Sequence, residues 1–312
     1  MLEQGAPYST NLLWEIFSKH LQIAVQTAGD GMRHHLKYQK YNEPELILNL
    51  LSHGPIEKGC DVSDGGATYY NLSIDGAGLA IAADSFAALE QRIEKEQKLT
   101  WETVIEAVAT NYEGEGGEVT RNILKNSEHY GCEGSIGEKW AMQIRDLFVS
   151  LVKGQSEGNY VFIPGFFSWA NTIEFGEKVQ ATPNGRKAGE AIAHGANPVP
   201  GFTVDGASLA LASSIAKIQP GYGNTAPMQW ELDPTFAKDN NVEIIEAIIK
   251  THVELGGTLI NVNIMDKETI LAAHKDPAAY PELVVRVTGF TAYFSMLSPK
   301  FRQLVVDRLL EN

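Results

Sequence analysis

Few residues in this chain have the type and spacing to do chemistry. Cys60, in KGCD at 58–61, and Cys132, in GCEG at 131–134, each lie among glycines and acidic residues. A thiol in such a setting is either reactive or an inert bystander, and inert is the commoner outcome. His34 and His35 are adjacent, so on a helix they point apart, and the other six histidines are scattered. No HExxH, CxxC or calcium-loop spacing occurs, so no metal is expected. GAG at 76–78 and GYGN at 221–224 fall short of a phosphate-cradling glycine loop, and GFFSW lacks the GxSxG elbow of a serine hydrolase. Two stretches remain. ATPNGRKAGE at 181–190 places Arg186 and Lys187 directly after a tight Pro183-Asn184-Gly185 turn, and VVRVTGFTAY at 284–293 ends an apolar strand on Gly289, with Arg286 three residues before it. Taken alone, the first reads as a solvated turn and the second as a bend or bulge.

The elements that must position these residues follow from periodicity and stop signals. Apolar residues at helical spacing, Leu13, Ile16, Phe17, Leu21 and Ala24, predict a long helix over 10–37. A short helix is expected over 43–52, then a Gly/Asp-rich loop, HGPIEKGCDVSDGGATYYN. A helix starting at Asp84, with Asp84 or Ser85 as N-cap, comes next, then one from about Thr100 to the EGEGG turn. Residues 137–153 read as a helix with Trp140, Ile144, Leu147 and Leu151 on one face. NYVFIPGFFSW reads as an aromatic strand or loop. From Val242 the order is helix, Gly256-Gly257 stop, strand TLINVNIM, helix KETILAAH, strand LVVRV and a final helix, SPKFRQLVVDRLLE. Helices alternating with strands imply an α/β layered or barrel arrangement. There is no internal repeat.

Composition bounds the partners. The 312 residues are enough for one large domain or two ordinary ones. A net charge of −14 argues against a phosphate-binding surface, hence against nucleic acid. Two cysteines form no disulfide framework, which makes a reducing cytoplasm the expected compartment. No apolar run is long enough to span a membrane, and MLEQGAPYST lacks the pattern of a signal peptide.

ATPNGRKAGEAIAHGANP followed about a hundred residues later by RVTGFTAYFSMLSPKFRQ resembles the C-terminal region of the glycyl radical enzymes, the family of pyruvate formate-lyase, diol dehydratases and arylacetate decarboxylases. IEKGCDVSDGGATYYN, GLAIAADSFAAL, VFIPGFFSWA and ELGGTLINVNIMD extend the resemblance over nearly the whole chain. It implies a helix-rich α/β fold, the C-terminal part of a ten-stranded barrel, with residues 1–175 in the barrel domain and 176–312 as a glycine radical domain. It also implies that Gly289 stores a backbone radical. Such a radical is delocalised over the flanking amides, and a residue with no side chain lets its Cα flatten. Arg286 then anchors the loop, and Phe290 and Phe294 shield it.

The resemblance further implies a separate S-adenosylmethionine, iron–sulfur activating enzyme that installs the radical, with no cofactor bound by this chain. In the family the radical passes to a cysteine on a second loop, and the resulting thiyl meets a small-molecule substrate. Counted back from Gly289 that loop falls before Met1, so the role is carried to neither Cys60 nor Cys132, and GCEG is a chance echo of the motif. A cysteine-loop partner chain or self-association is therefore expected, with exposed apolar surface on the long first helix. His53, the 64–70 loop, Phe167 and Trp169 are the pocket candidates; Gln229 and Glu231 receive no role. Three functions compete: a lyase or dehydratase component, a spare part that restores an oxygen-damaged lyase in trans, and a degenerate scaffold. The intact RVTGF argues against the last.

Overall fold

The computed structural model describes residues 7–167, 171–199, 207–219, 226–232, 234, 242–287 and 290–310, with backbone only for 207–210 and 308–310. In chain order the elements are α1 (Thr10–Asn42), α2 (Leu46–Leu51), α3 (Pro55–Lys58), β1 (Tyr70–Asp75), α4 (Leu79–Leu89), α5 (Trp101–Ala109), α6 (Gly117–Lys125), α7 (Ile136–Lys153) and β2 (Tyr160–Gly165). They continue with α8 (Thr172–Glu177), α9 (Ala207–Ile218), β3 (Met228–Leu232), α10 (Val242–Glu254), β4 (Ile260–Ile264), α11 (Lys267–Lys275), β5 (Val284–Arg286), β6 (Thr291–Tyr293) and α12 (Pro299–Leu310). The chain divides into two compact units, one of residues 1–10, 76–145 and 166–312, the other of residues 11–75 and 146–165.

In the smaller unit β1 and β2 pair in parallel, Tyr70 against Tyr160 through Asp75 against Gly165. Arg33 of α1 donates to the backbone and side-chain carbonyls of Gln155, at 3.1 and 3.0 Å, and its guanidinium lies 5.3 Å from the Phe162 ring centre. The expected apolar exposure is present, more on α2 than on α1. None of α2's residues is buried, and Leu51 is 80% exposed.

In the larger unit α4 is apolar around nearly its whole circumference, the signature of a central helix. Leu79 through Leu89 are buried except Ala82 and Ser85, and Phe86 stacks on Trp140 at 4.5 Å between ring centres. The helix starts at Leu79 after Gly78, not at Asp84. Asp84 is 1% exposed inside the helix and caps nothing there. Ser85 returns its hydroxyl to the Ile81 carbonyl instead. Thr100 does cap α5, accepting from the Thr103 N–H. β3 and β4 pair in parallel, Met228 against Ile260 through Leu232 against Ile264, and β5 and β6 form an antiparallel hairpin. The elements β1, β3, α6 and α9 were not expected from the sequence, and the supposed loop before β1 contains α3 and a wide turn at Val62–Gly66.

Candidate functional site

VVRV and TAY become the two arms of the β5–β6 hairpin because β-branched and aromatic residues alternate on a half-buried ribbon. Val284 faces Tyr293, Val285 faces Ala292 and Arg286 faces Thr291. The Val287 N–H closes the ladder on the Phe290 carbonyl at 3.0 Å. Thr288 and Gly289, between those two residues in the chain, lie outside the described residues. The hairpin rests on its own small core. Val285, Val287 and Phe294 cluster with Met265, Ile270 and Ala273 from α11 and its approach, and with Val305 and Val306 of α12. Val287 and Phe294 are fully buried. Arg286 reaches across to the Thr291 hydroxyl at 3.4 Å. Phe290 is 46% exposed, so the aromatic buried at the hairpin base is Phe294.

The 181–190 turn is held from inside and outside. Thr182 N–H bonds to the Arg186 carbonyl and Gly185 N–H to the Thr182 carbonyl, both at 3.0 Å. Arg186 is 6% exposed, and its guanidinium donates to the carbonyls of Glu190 (2.6 Å), Val179 (3.0 Å) and Gln180 (2.5 Å). Burial pulls its pKa down from the ordinary value. Outside the turn, the buried Tyr112 hydroxyl donates to the Thr182 carbonyl at 2.6 Å, and burial pushes its pKa up to about 12. Arg121 donates to the Gly185 carbonyl at 2.7 Å, and Asn111 accepts from the Ala188 N–H. All three groups of bonds end on backbone. The turn is therefore a structural clasp, and Arg186 acts as its internal staple rather than as a surface charge.

GCEG caps α7. Gly131 and Gly134 take left-handed backbone, with φ of +104° and +76°. Ser135 Oγ accepts from the Glu138 N–H at 3.0 Å, half of a capping box. Glu138 itself accepts from the Gly134 N–H, the Ser214 hydroxyl and Lys217. Asp84 holds the turn's leading edge, accepting from the Tyr130 N–H at 2.7 Å with His129 Nδ1 at 3.1 Å. Burial raises the Asp84 pKa, and it also raises that of the Cys132 thiol, helped by nearby Asp84, Glu128 and Glu138. A raised pKa disfavours a thiolate nucleophile there. Cys60 lies in the other unit, its sulfur 3.4 Å from the Lys58 carbonyl.

Of the other sequence candidates, His53 is exposed and belongs to the smaller unit. Phe167 is half-buried in the larger unit, and Trp169 lies outside the described residues. Among the described residues no three His, Cys, Asp or Glu side chains converge as a metal site, and no helix is long and apolar enough to cross a membrane. Asp84, Tyr112 and Arg121 were missed as supports of the two turns. Their partners are distant in sequence, and no local pattern marks them.

Comparison with known proteins places this geometry. Residues 4–176 match the pyruvate formate lyase-like family and residues 192–295 the glycine radical family. The chain is 29% identical over 239 residues to the isethionate sulfite-lyase of Oleidesulfovibrio alaskensis, covering 74% of this chain and 28% of that one. It is 25% identical over 316 residues to the trans-4-hydroxy-L-proline dehydratase of Clostridioides difficile, covering 98% of this chain and 39% of that one. The chain thus spans less than two fifths of the length of these curated relatives. Among solved structures, the glycerol-bound B12-independent glycerol dehydratase of Clostridium butyricum superposes with a TM-score of 0.87 at 24% identity, over 96% of this chain and 38% of that one. A glycyl radical enzyme of Archaeoglobus fulgidus gives 0.85 at 26% identity, over 98% and 39%. The fold is thus that of part of the glycyl radical barrel, and the chain belongs to the glycyl radical enzyme family.

Proposed function

We propose that this chain is the radical-storing portion of a glycyl radical lyase or dehydratase, with Gly289 as the storage residue. The observation that carries this is the β5–β6 hairpin. Its arms, which carry the RVTGF motif, rest on a dedicated apolar core inside the stretch that matches the glycine radical family. Gly289 loses one Cα hydrogen atom to a separate S-adenosylmethionine, iron–sulfur activating enzyme. A cysteine thiol on another loop then returns a hydrogen atom to that Cα and becomes the thiyl that attacks a small-molecule substrate. This chain's own residues hold the hairpin: Arg286 and Thr291 brace its arms, and Phe294 with Val287 seals its base. Neither Cys60 nor Cys132 is assigned the thiyl; Cys132 sits in the turn that caps α7. The thiyl is assigned to a cysteine loop outside these 312 residues. Residues 1–175 serve as barrel and 176–312 as radical domain, while His53, Phe167 and Trp169 are assigned to the pocket on the resemblance alone. The lyase and dehydratase names of the relatives favour this reading over a spare-part protein.

The test is anaerobic incubation with an activating enzyme, followed by EPR. A glycyl doublet in the parent chain that vanishes in Gly289→Ala is expected. A doublet that survives the substitution would refute the assignment. So would its absence from a folded chain activated together with a cysteine-loop partner.

A further inference from the structure

The hairpin's hydrogen-bonding edges alternate. Phe294 N–H bonds to the Leu283 carbonyl and Val287 N–H to the Phe290 carbonyl, so on β5 the odd-numbered residues face β6. Val284 and Arg286 therefore turn their backbone N–H and C=O groups away from the ribbon. The Arg286 carbonyl is the last such outward group before Thr288 and Gly289. No strand pairs with that edge among the described residues. Among the described residues, the Asn263 amide meets it, donating to the Arg286 carbonyl at 3.3 Å.

Asn263 stands on a strand built to hold it. β4 alternates Ile260, Val262 and Ile264 with Asn261 and Asn263, so both amides share one face. In the parallel register Asn261 lies against Gln229 and donates to its side-chain carbonyl at 2.7 Å. The Gln229 backbone is in turn fixed in both directions by Asn197, whose Oδ1 accepts its N–H at 3.0 Å and whose Nδ2 donates to its carbonyl at 3.1 Å. A series of amide contacts thus runs from Asn197 through β3 to β4, and Asn263 hands it on to the hairpin.

We propose that Asn263 is a positioning residue that holds the β5 arm of the hairpin, three residues before Gly289 in the chain, through the Arg286 carbonyl. Its meaning for the radical rests on the function proposed above; its hold on the hairpin does not. The test is amide hydrogen exchange of the 312-residue chain as Asn263→Leu and Asn263→Asp. Leucine keeps the volume and removes the donor, whereas aspartate keeps the shape and turns an acceptor toward the carbonyl. Exchange of the 284–293 segment should rise about fivefold in both variants, the factor set by one lost hydrogen bond of about 1 kcal/mol. Exchange in β3 and β4 should stay as in the parent. Unchanged exchange at 284–293, or an equal rise throughout the chain, overturns the proposal. A parent chain with no doublet counts against Gly289 as the storage site, and the exchange measurement still decides the role of Asn263.

Discussion

Replacing Arg186 by methionine removes a buried guanidinium and leaves the carbonyls of Gln180 and Glu190 without a donor, while that of Val179 keeps the Gly189 N–H at 3.2 Å. Those three residues are themselves exposed, so water can take over part of each lost bond. The low end of the range for an orphaned acceptor then applies, about 1 kcal/mol each. Over the two orphaned carbonyls the sum is about 2 kcal/mol of unfolding free energy. Lysine keeps the charge but is a point donor on a flexible stem and cannot fork over three carbonyls; Arg186→Lys should lose about 1–2 kcal/mol. Urea denaturation followed by tryptophan fluorescence measures both. A loss under about 1 kcal/mol for Arg186→Met would show that the turn keeps its shape without the staple, and that Tyr112, Arg121 and Asn111 suffice.

Two further outcomes follow from buried contacts. His252 is fully buried, with Nδ1 on the Ala212 carbonyl at 2.8 Å and Nε2 without a partner among the described residues, and burial lowers its pKa. Between the folded value and the unfolded 6.5, the unfolded chain binds the extra proton, so stability is lost as pH falls below 6.5. His252→Gln should flatten that fall by at most about 1.4 kcal/mol per pH unit; parallel slopes from pH 7 to 5 in parent and variant would contradict it. At Gly137, in the first turn of α7, an added Cβ would lie 2.2 Å from the Tyr130 nitrogen and 2.4 Å from the His129 carbonyl carbon, both backbone. Gly137→Ala should therefore cost about 1–3 kcal/mol or more. Gly31→Ala on α1, with nothing within 4 Å, should be neutral or gain up to about 1 kcal/mol, and thermal melts of the two variants should separate clearly.

The stretch from Val242 onward was the most legible part of the sequence. There each element carries its own local signals: the period of VEIIEAIIKTHVEL, the Gly256-Gly257 stop, and Asp266 capping α11 through the Thr269 N–H. Asp84 misled because a carboxylate before an apolar run has the look of an N-cap. Its actual partners, His129 and Tyr130, sit far along the chain, and only the tertiary structure shows why an acid is tolerated inside a buried helix. β1 and β3 were missed for a related reason. YNLSID and MQWEL are short, and each pairs with one distant strand. The RVTGF motif was recognisable in the sequence, but Asn263 was not. INVNI reads as any half-buried strand until the outward-facing carbonyl of Arg286 is seen beside it.

The pairing of β1 with β2 also bears on how the protein is made. Tyr70 must find Tyr160, and the intervening residues 76–145 fold into the other unit. At about 5–20 residues per second, the ribosome delivers β2 roughly 5–20 s after β1. Through that interval β1 lacks β2, the strand it pairs with among the described residues, while the segment carrying α4 to α6 is already emerging. Order of synthesis thus favours early collapse of the inserted segment and late closure of the β1–β2 sheet. A nascent chain arrested before residue 160 would hold a long amphipathic helix and a β1 still lacking β2, a state suited to chaperone capture.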